Sequence, residues 1–140
     1  MRTVVPSKLL RAALIADASA SGALALLQIA AAAPLAEWLQ FPHDLVAESG
    51  AFLVAYTALL IVLAASGRVW PALIVLIVAG NVGWAIGCAA LPAGGFVAPN
   101  ALGVAYLAVQ AVAVLVFAVL QYFGLKSSSA ALGETSTSAA

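Results

Sequence analysis

The sequence predicts an all-α protein, a four-helix transmembrane bundle running up-down-up-down, and three observations predict it. Hydrophobic residues make up 66% of the chain and charged residues 7%, whereas a soluble domain carries about a quarter charged residues to coat its surface. No Asp, Glu, Lys or Arg occurs from Val69 to Leu125. Apolar stretches near the ~20 residues that an α-helix needs to cross a bilayer recur four times, at about 9–33, 45–66, 70–91 and 101–125. They form one domain, 1–126, followed by a polar, small-residue stretch, 127–140, expected to be a disordered tail.

The first eleven residues are basic, with Arg2, Lys8 and Arg11. Pro6-Ser7 reads as a helix start, with Ser7 as N-cap. A basic start, an apolar run and Ala30-Ala31-Ala32 imitate a secretory signal peptide. Asp17 interrupts the apolar region, and the stretch is too long for a signal, so it reads as an uncleaved first helix. Residues 34–50 form the most acidic loop, with Glu37, Asp44 and Glu48. Pro34 opens a short helix there, whose Leu35, Trp38 and Leu39 share a face suited to the lipid–water boundary. Pro42 ends it. Asp44 is the expected N-cap of the second span, which runs to Ser66 with Gly67 as terminator.

Arg68 marks a very short turn, which makes the flanking helices antiparallel. Trp70-Pro71 opens the third span, with Pro71 in the tolerated first turn. Residues 91–100 form a Gly- and Pro-rich loop, and Asn100 is placed to cap the fourth span. The basic residues lie at the start of the first helix, between the second and third, and just after the fourth. The other two loops hold none, and carry three of the five acids. The positive-inside rule therefore predicts a multi-pass protein with both termini in the cytoplasm. Trp38 suits the outer interface, and Trp70 and Tyr122 with Lys126 suit the inner one.

Polar residues inside the spans fall in stripes. On the first helix Asp17, Ser21, Leu24 and Gln28 recur at helical spacing. On the fourth, Tyr106, Gln110, Ala113, Phe117 and Gln121 do the same. The third adds Asn81 and Trp84, and the second Tyr56 and Thr57. Polar side chains are costly in hydrocarbon, so the stripes are expected to face inward. At ~1.5 Å rise per residue, Asp17 and Gln121 fall in the inner third, Asn81 and Tyr56 near the middle, and Gln28, Gln110 and Trp84 in the outer half. Each polar group thus has a partner at its own depth.

Two readings follow. In one, the pairs are interhelical hydrogen bonds that fix register, at about 0.6 kcal/mol each. In the other, they line a small cavity for a lipophilic or weakly polar ligand. Desolvation favours a neutral carboxyl group, so Asp17 is expected to hold a proton at least part of the time. It would then donate to a neighbour such as Gln121 or Asn81. Its functional version is a proton-coupling group. Gly80, Gly83 and Gly87 share one face of the third span and read as a helix-packing surface.

Several chemistries find no support. A net charge of zero argues against nucleic-acid binding. Cys88 is alone, which rules out an internal disulfide, and it reads as a small core residue. His43 with Asp44 and Glu48 is too sparse for a metal site. No nucleophile–base set, phosphate-binding loop or cofactor signature is present, so no catalysis is read.

Leu14-Ile15-Ala16-Asp17 with Ser21-Gly22, Asn81 with Trp84, Ala101-Leu102-Gly103-Val104 through Gln110, and Gln121-Tyr122-Phe123-Gly124-Leu125 carry a resemblance. With these segments the chain resembles a group of small bacterial four-helix integral membrane proteins. The resemblance implies architecture and brings no reaction with it. The chain is also similar to the small multidrug exporters in having four short helices and an acid in the first. It departs from their dual-orientation members in its complete Lys/Arg bias. The sequence-based expectation is a structural or accessory membrane protein in contact with lipid, packing against a second copy or a larger complex. The alternative is a small transporter or lipophilic-ligand binder using Asp17, Asn81, Gln28 and Gln110.

Overall fold

The structure, a computed structural model, describes residues 2–138, with side chains through Ser128. Five helices follow one another: α1 Lys8–Ala30, α2 Ala32–Leu39, α3 His43–Ala65, α4 Pro71–Ala93 and α5 Ala101–Ser138. Four of them are long and apolar enough to cross a membrane, and the chain is a multi-pass membrane protein.

Local chemistry sets the boundaries. Ser7 caps α1, its Oγ accepting the Leu10 N–H at 3.0 Å. The buried residues of α1 include Leu10, Leu14, Asp17, Ser21, Ala25 and Gln28, one stripe at helical spacing. The first span ends at Ala30, earlier than expected, and Ala31 caps both it and α2. Pro34 sits in the first turn of α2, where its missing N–H has no helical acceptor to lose. Gln40 ends α2 in the left-handed region at φ 56°. Its N–H bonds the carbonyls of Ala36 and Glu37, an ending more often given to glycine.

Asp44 is not the N-cap of α3 as expected. The helix starts at His43, Pro42 is the capping residue, and Asp44 lies in the first turn, where a carboxylate still favours the helix dipole. Pro71 opens α4 as read. Asn100 caps α5, its Oδ1 accepting the Gly103 N–H at 2.9 Å. Helix α5 continues past Leu125 to Ser138, across the stretch expected to be an unstructured tail. At the junction, the Ser127 and Ser128 hydroxyls bond back to the carbonyls of Phe123 and Gly124. Residues 139–140 of that expectation lie outside the described residues.

The N-terminal segment, the α3–α4 turn and the stretch of α5 around Ser128 meet at one end of the bundle. Ser7 N–H donates to Ser128 Oγ at 2.7 Å. Val4 and Val69 exchange two backbone bonds of 2.9 Å, closing the α3–α4 turn onto the N-terminal segment. Around this terminal end packs an apolar cluster that includes Leu10, Leu14, Leu60, Ile74 and Leu125. A second cluster, including Leu35, Leu39, Phe41, Val46 and Leu107, sits beneath α2 at the opposite, loop end. Large apolar residues such as Leu26, Ile86 and Val109 are exposed on the outside, the surface a lipid-facing helix presents.

The order of helices around the bundle is the feature that matters for function. Helix α1 packs on α3 and on α5, and α5 packs on α4. Helices α3 and α4 follow one another through a short turn, yet no Cα of one lies within 8 Å of a Cα of the other. The bundle is therefore a ring with one open seam.

Candidate functional site

The polar stripes do turn inward, and four spans meet at one carboxylate. Asp17 on α1 is fully buried. Its Oδ2 accepts from Gln121 Nε2 of α5 at 2.7 Å, from Tyr56 Oη of α3 at 2.8 Å and from Asn81 Nδ2 of α4 at 3.0 Å. Its Oδ1 accepts from Ser21 Oγ at 2.9 Å. Asn81 Nδ2 also donates to Gln121 Oε1 at 3.0 Å, and Tyr56 Oη lies 3.1 Å from Asn81 Oδ1. The expectation that Asp17 donates to Gln121 or Asn81 is reversed. Both amides present N–H groups to it, so Asp17 is the shared acceptor. Arg11 takes no part, because its guanidinium is bonded to the Ala64 and Ser66 carbonyls at the end of α3.

Nearer the loop end a second group closes on itself. Gln28 Nε2 donates to Tyr106 Oη at 2.8 Å, and Ser49 Oγ donates to Gln28 Oε1 at 2.9 Å. Ser49 went unnoticed in the sequence because it lies where the acidic loop, 34–50, overlaps the start of the second span. It stands one and two turns from Phe52, Leu53 and Tyr56, and that spacing was the available signal. Thr57 contributes no polar contact. Its Oγ1 is buried without a hydrogen-bond partner, and its methyl carbon faces Gly22.

Between these two groups lies the pair Trp84 and Gln110. Trp84 Nε1 donates to Gln110 Oε1 at 3.1 Å. The indole N–H is only a donor, so it fixes which end of the amide faces it. Gln110 Nε2 is left with two N–H groups and no protein partner among the described residues. Phe52 stacks on Trp84 across the seam, with ring centroids 5.8 Å apart and planes within 13°.

The open seam holds two cavities. The larger, of about 410 Å³, lies on the loop-end side and is lined by Phe41, Val46, Gly83, Trp84, Tyr106 and Gln110 among others. The smaller, of about 120 Å³, lies deeper, between Trp84 and Gln110 on one side and Ser21, Tyr56 and Asn81 on the other. Trp84 and Gln110 border both. No charged residue lines either cavity.

The three glycines expected to form a helix-packing face do not touch another helix in this chain. A Cβ built on Gly80, Gly83 or Gly87 meets nothing within 4 Å. Gly83 and Gly87 line the larger cavity and Gly80 the smaller. Close helix approach instead uses Gly124, where a Cβ would stand 2.6 Å from the Leu10 backbone, and Gly103, where it would stand 2.5 Å from the Leu39 carbonyl oxygen. Cys88 is buried in the loop-end cluster. His43 and Asp44 lie 3.4 Å apart, both exposed, at the start of α3.

No family model, curated protein or solved structure matches the chain. What the site does has to be argued from its own geometry and hydrogen bonding.

Proposed function

We propose that this multi-pass membrane protein binds a lipophilic ligand in the cleft between α3 and α4. The observation that carries the reading is the separation of two consecutive helices around a cavity of about 410 Å³. That size lies within the ~300–1,000 Å³ typical of small-molecule sites, and apolar walls with a few converging polar groups are their usual lining. The reading is non-catalytic. Asp17 is sealed among its donors and lines neither cavity, which supports binding over proton-coupled transport.

A second reading is favoured by one observation. Gly80, Gly83 and Gly87 leave the α4 wall of the cleft unobstructed, and small residues of this kind admit a close helix. An accessory role, with a helix of a second copy or of a larger complex seated there, uses the same space. For either role we read a bacterial inner-membrane protein with cytoplasmic termini, supported by the placement of all five Lys and Arg residues.

Purification in mild detergent followed by native mass spectrometry tests both. The expected result is a discrete lipid-mass adduct on the wild type that is absent from Gly83→Leu/Gly87→Leu, whose side chains fill the cleft. A stoichiometric protein released by the same substitutions would favour the accessory role. A bare chain in every preparation would overturn the ligand reading.

A further inference from the structure

From the hydrogen-bonding inventory of the cleft, we infer that its ligand is a neutral lipid whose head presents a carbonyl oxygen, held by the Gln110 amide. The inference rests on the cleft being a ligand site and adds the chemistry of what enters it.

Three observations narrow the class. The lining holds no Lys, Arg, His, Asp or Glu, and a charged headgroup moved there from water would find no counter-ion. That selects against phospholipids and fatty-acid anions. The polar groups that surround the cleft are mostly committed. Gln28, Tyr106 and Ser49 bond one another, and Tyr56 and Asn81 bond within the Asp17 cluster. Two groups are exceptions. Tyr106 Oη accepts from Gln28, and its own O–H has no acceptor among the described residues. Trp84 occupies the Gln110 carbonyl oxygen, and the Gln110 amide nitrogen keeps two unspent donors on a residue that lines both cavities. An unspent donor in an apolar site is matched by a ligand acceptor.

The walls fit such a head. Phe41, Trp84 and Tyr106 all line the larger cavity, and the Phe52–Trp84 stack stands beside it. Aromatic faces accommodate a flat ring or a planar ester equally. The seam between α3 and α4 gives the lipid a lateral way in from the bilayer. Trp84 acts as a positioning residue, because its N–H holds the Gln110 amide with the nitrogen free.

The full chain is purified in detergent and challenged with four probes: a short-chain isoprenoid quinone, dioctanoylglycerol, a hydrocarbon of matching length and dioctanoyl phosphatidylglycerol. Binding is read by native mass spectrometry. The expected result is a preference of about tenfold for a carbonyl probe over the hydrocarbon, the worth of one well-made hydrogen bond. Gln110→Leu should reduce the preference while leaving hydrocarbon binding in place, and Gln110→Leu/Tyr106→Phe should abolish it. Trp84→Phe, which frees the amide to turn, should weaken it without removing an aromatic wall, and serves if Gln110→Leu fails to fold. Tighter quinone binding identifies a ring head, and tighter dioctanoylglycerol binding an ester head. Equal binding of the hydrocarbon, or tighter binding of phosphatidylglycerol, overturns the inference and leaves the cleft standing as a site. Failure of every probe to bind overturns both.

Discussion

Gln121 Nε2 donates to Asp17 Oδ2 at 2.7 Å, tying the last span to the first across 104 positions of sequence. The same oxygen receives Tyr56 from α3 and Asn81 from α4, so all four spans converge on one atom. For α3 and α4 this has particular weight. Their backbones stand apart, and side chains span the seam: the apolar cluster that holds Leu60 and Ile74, the Phe52–Trp84 stack, and the polar cluster through the Tyr56–Asp17–Asn81 bridge and the Tyr56–Asn81 contact. The polar cluster therefore helps to set the width of the cleft above it.

Asp17→Leu should destabilise the bundle. Leucine keeps much of the volume and supplies no acceptor for Gln121, Tyr56 and Asn81. Loss of these interhelical bonds at ~0.6 kcal/mol each predicts a cost of about 2 kcal/mol. Denaturant titration in detergent micelles measures it. Stability equal to wild type would mean that the bonds to Asp17 contribute nothing net to holding the four spans together.

The glycines separate into two classes that a single substitution distinguishes. Gly124→Ala puts a methyl group 2.6 Å from the backbone of Leu10, where rigid backbone has to move and α1 has to part from α5. Overpacking of this kind costs about 1–3 kcal/mol. Gly83→Ala meets nothing within 4 Å and also removes a flexible residue from a helix interior, so it should be neutral or stabilise by up to ~1 kcal/mol. Thermal unfolding of the two variants side by side gives the contrast. Equal destabilisation would mean that the α4 glycines contact something in the native membrane.

Much of this architecture was legible from residue type and spacing. Four apolar runs of spanning length required four helices, and the cost of polar groups in hydrocarbon turned Asp17, Asn81 and Gln121 toward one another. Ser7, Pro71 and Asn100 announced their helix starts, because each has a specific way of dealing with unpaired backbone groups. Pairing across the interior was legible only in part. Depth matched Asp17 with Gln121, but it could not say which partner donates, since that depends on all the contacts to one oxygen at once. The glycine face meets no other helix of this chain, and small residues at helical spacing suit close approach and an open wall alike. Only the neighbours decide, and here α3 stands too far away to use the space. Gly124 and Gly103, which do touch other helices, stand singly and carry no periodic signal.

The proposed orientation rests on charge alone and is open to direct labelling. In a Cys88→Ser background, Gly67→Cys and Phe96→Cys report the two ends of α4. Gly67 has open space around it and Phe96 is 76% exposed, so neither substitution disturbs packing. With basic residues held inside, Phe96→Cys should react with a membrane-impermeant maleimide in intact spheroplasts, and Gly67→Cys only after permeabilisation. The opposite pattern reverses the topology.

Arg11 supplies the last test, because its charge counts toward the proposed orientation and its donors tie α1 to α3. Its Nη1 donates to the Ala64 carbonyl at 2.9 Å, and its Nη2 lies 3.4 Å from that of Ser66. Those carbonyls end α3 without a helical partner, at the negative pole of its dipole. Arg11→Met keeps much of the apolar stem, removes the donors and should cost about 1–2 kcal/mol. Arg11→Lys keeps the charge that counts toward orientation but has no planar fork to reach two carbonyls, so it should recover the topology fully and the stability in part. Unfolding midpoints of the two variants, read beside the maleimide pattern, separate the roles. If Arg11→Met unfolds at the wild-type midpoint, the bond to Ala64 contributes nothing to holding α1 against α3.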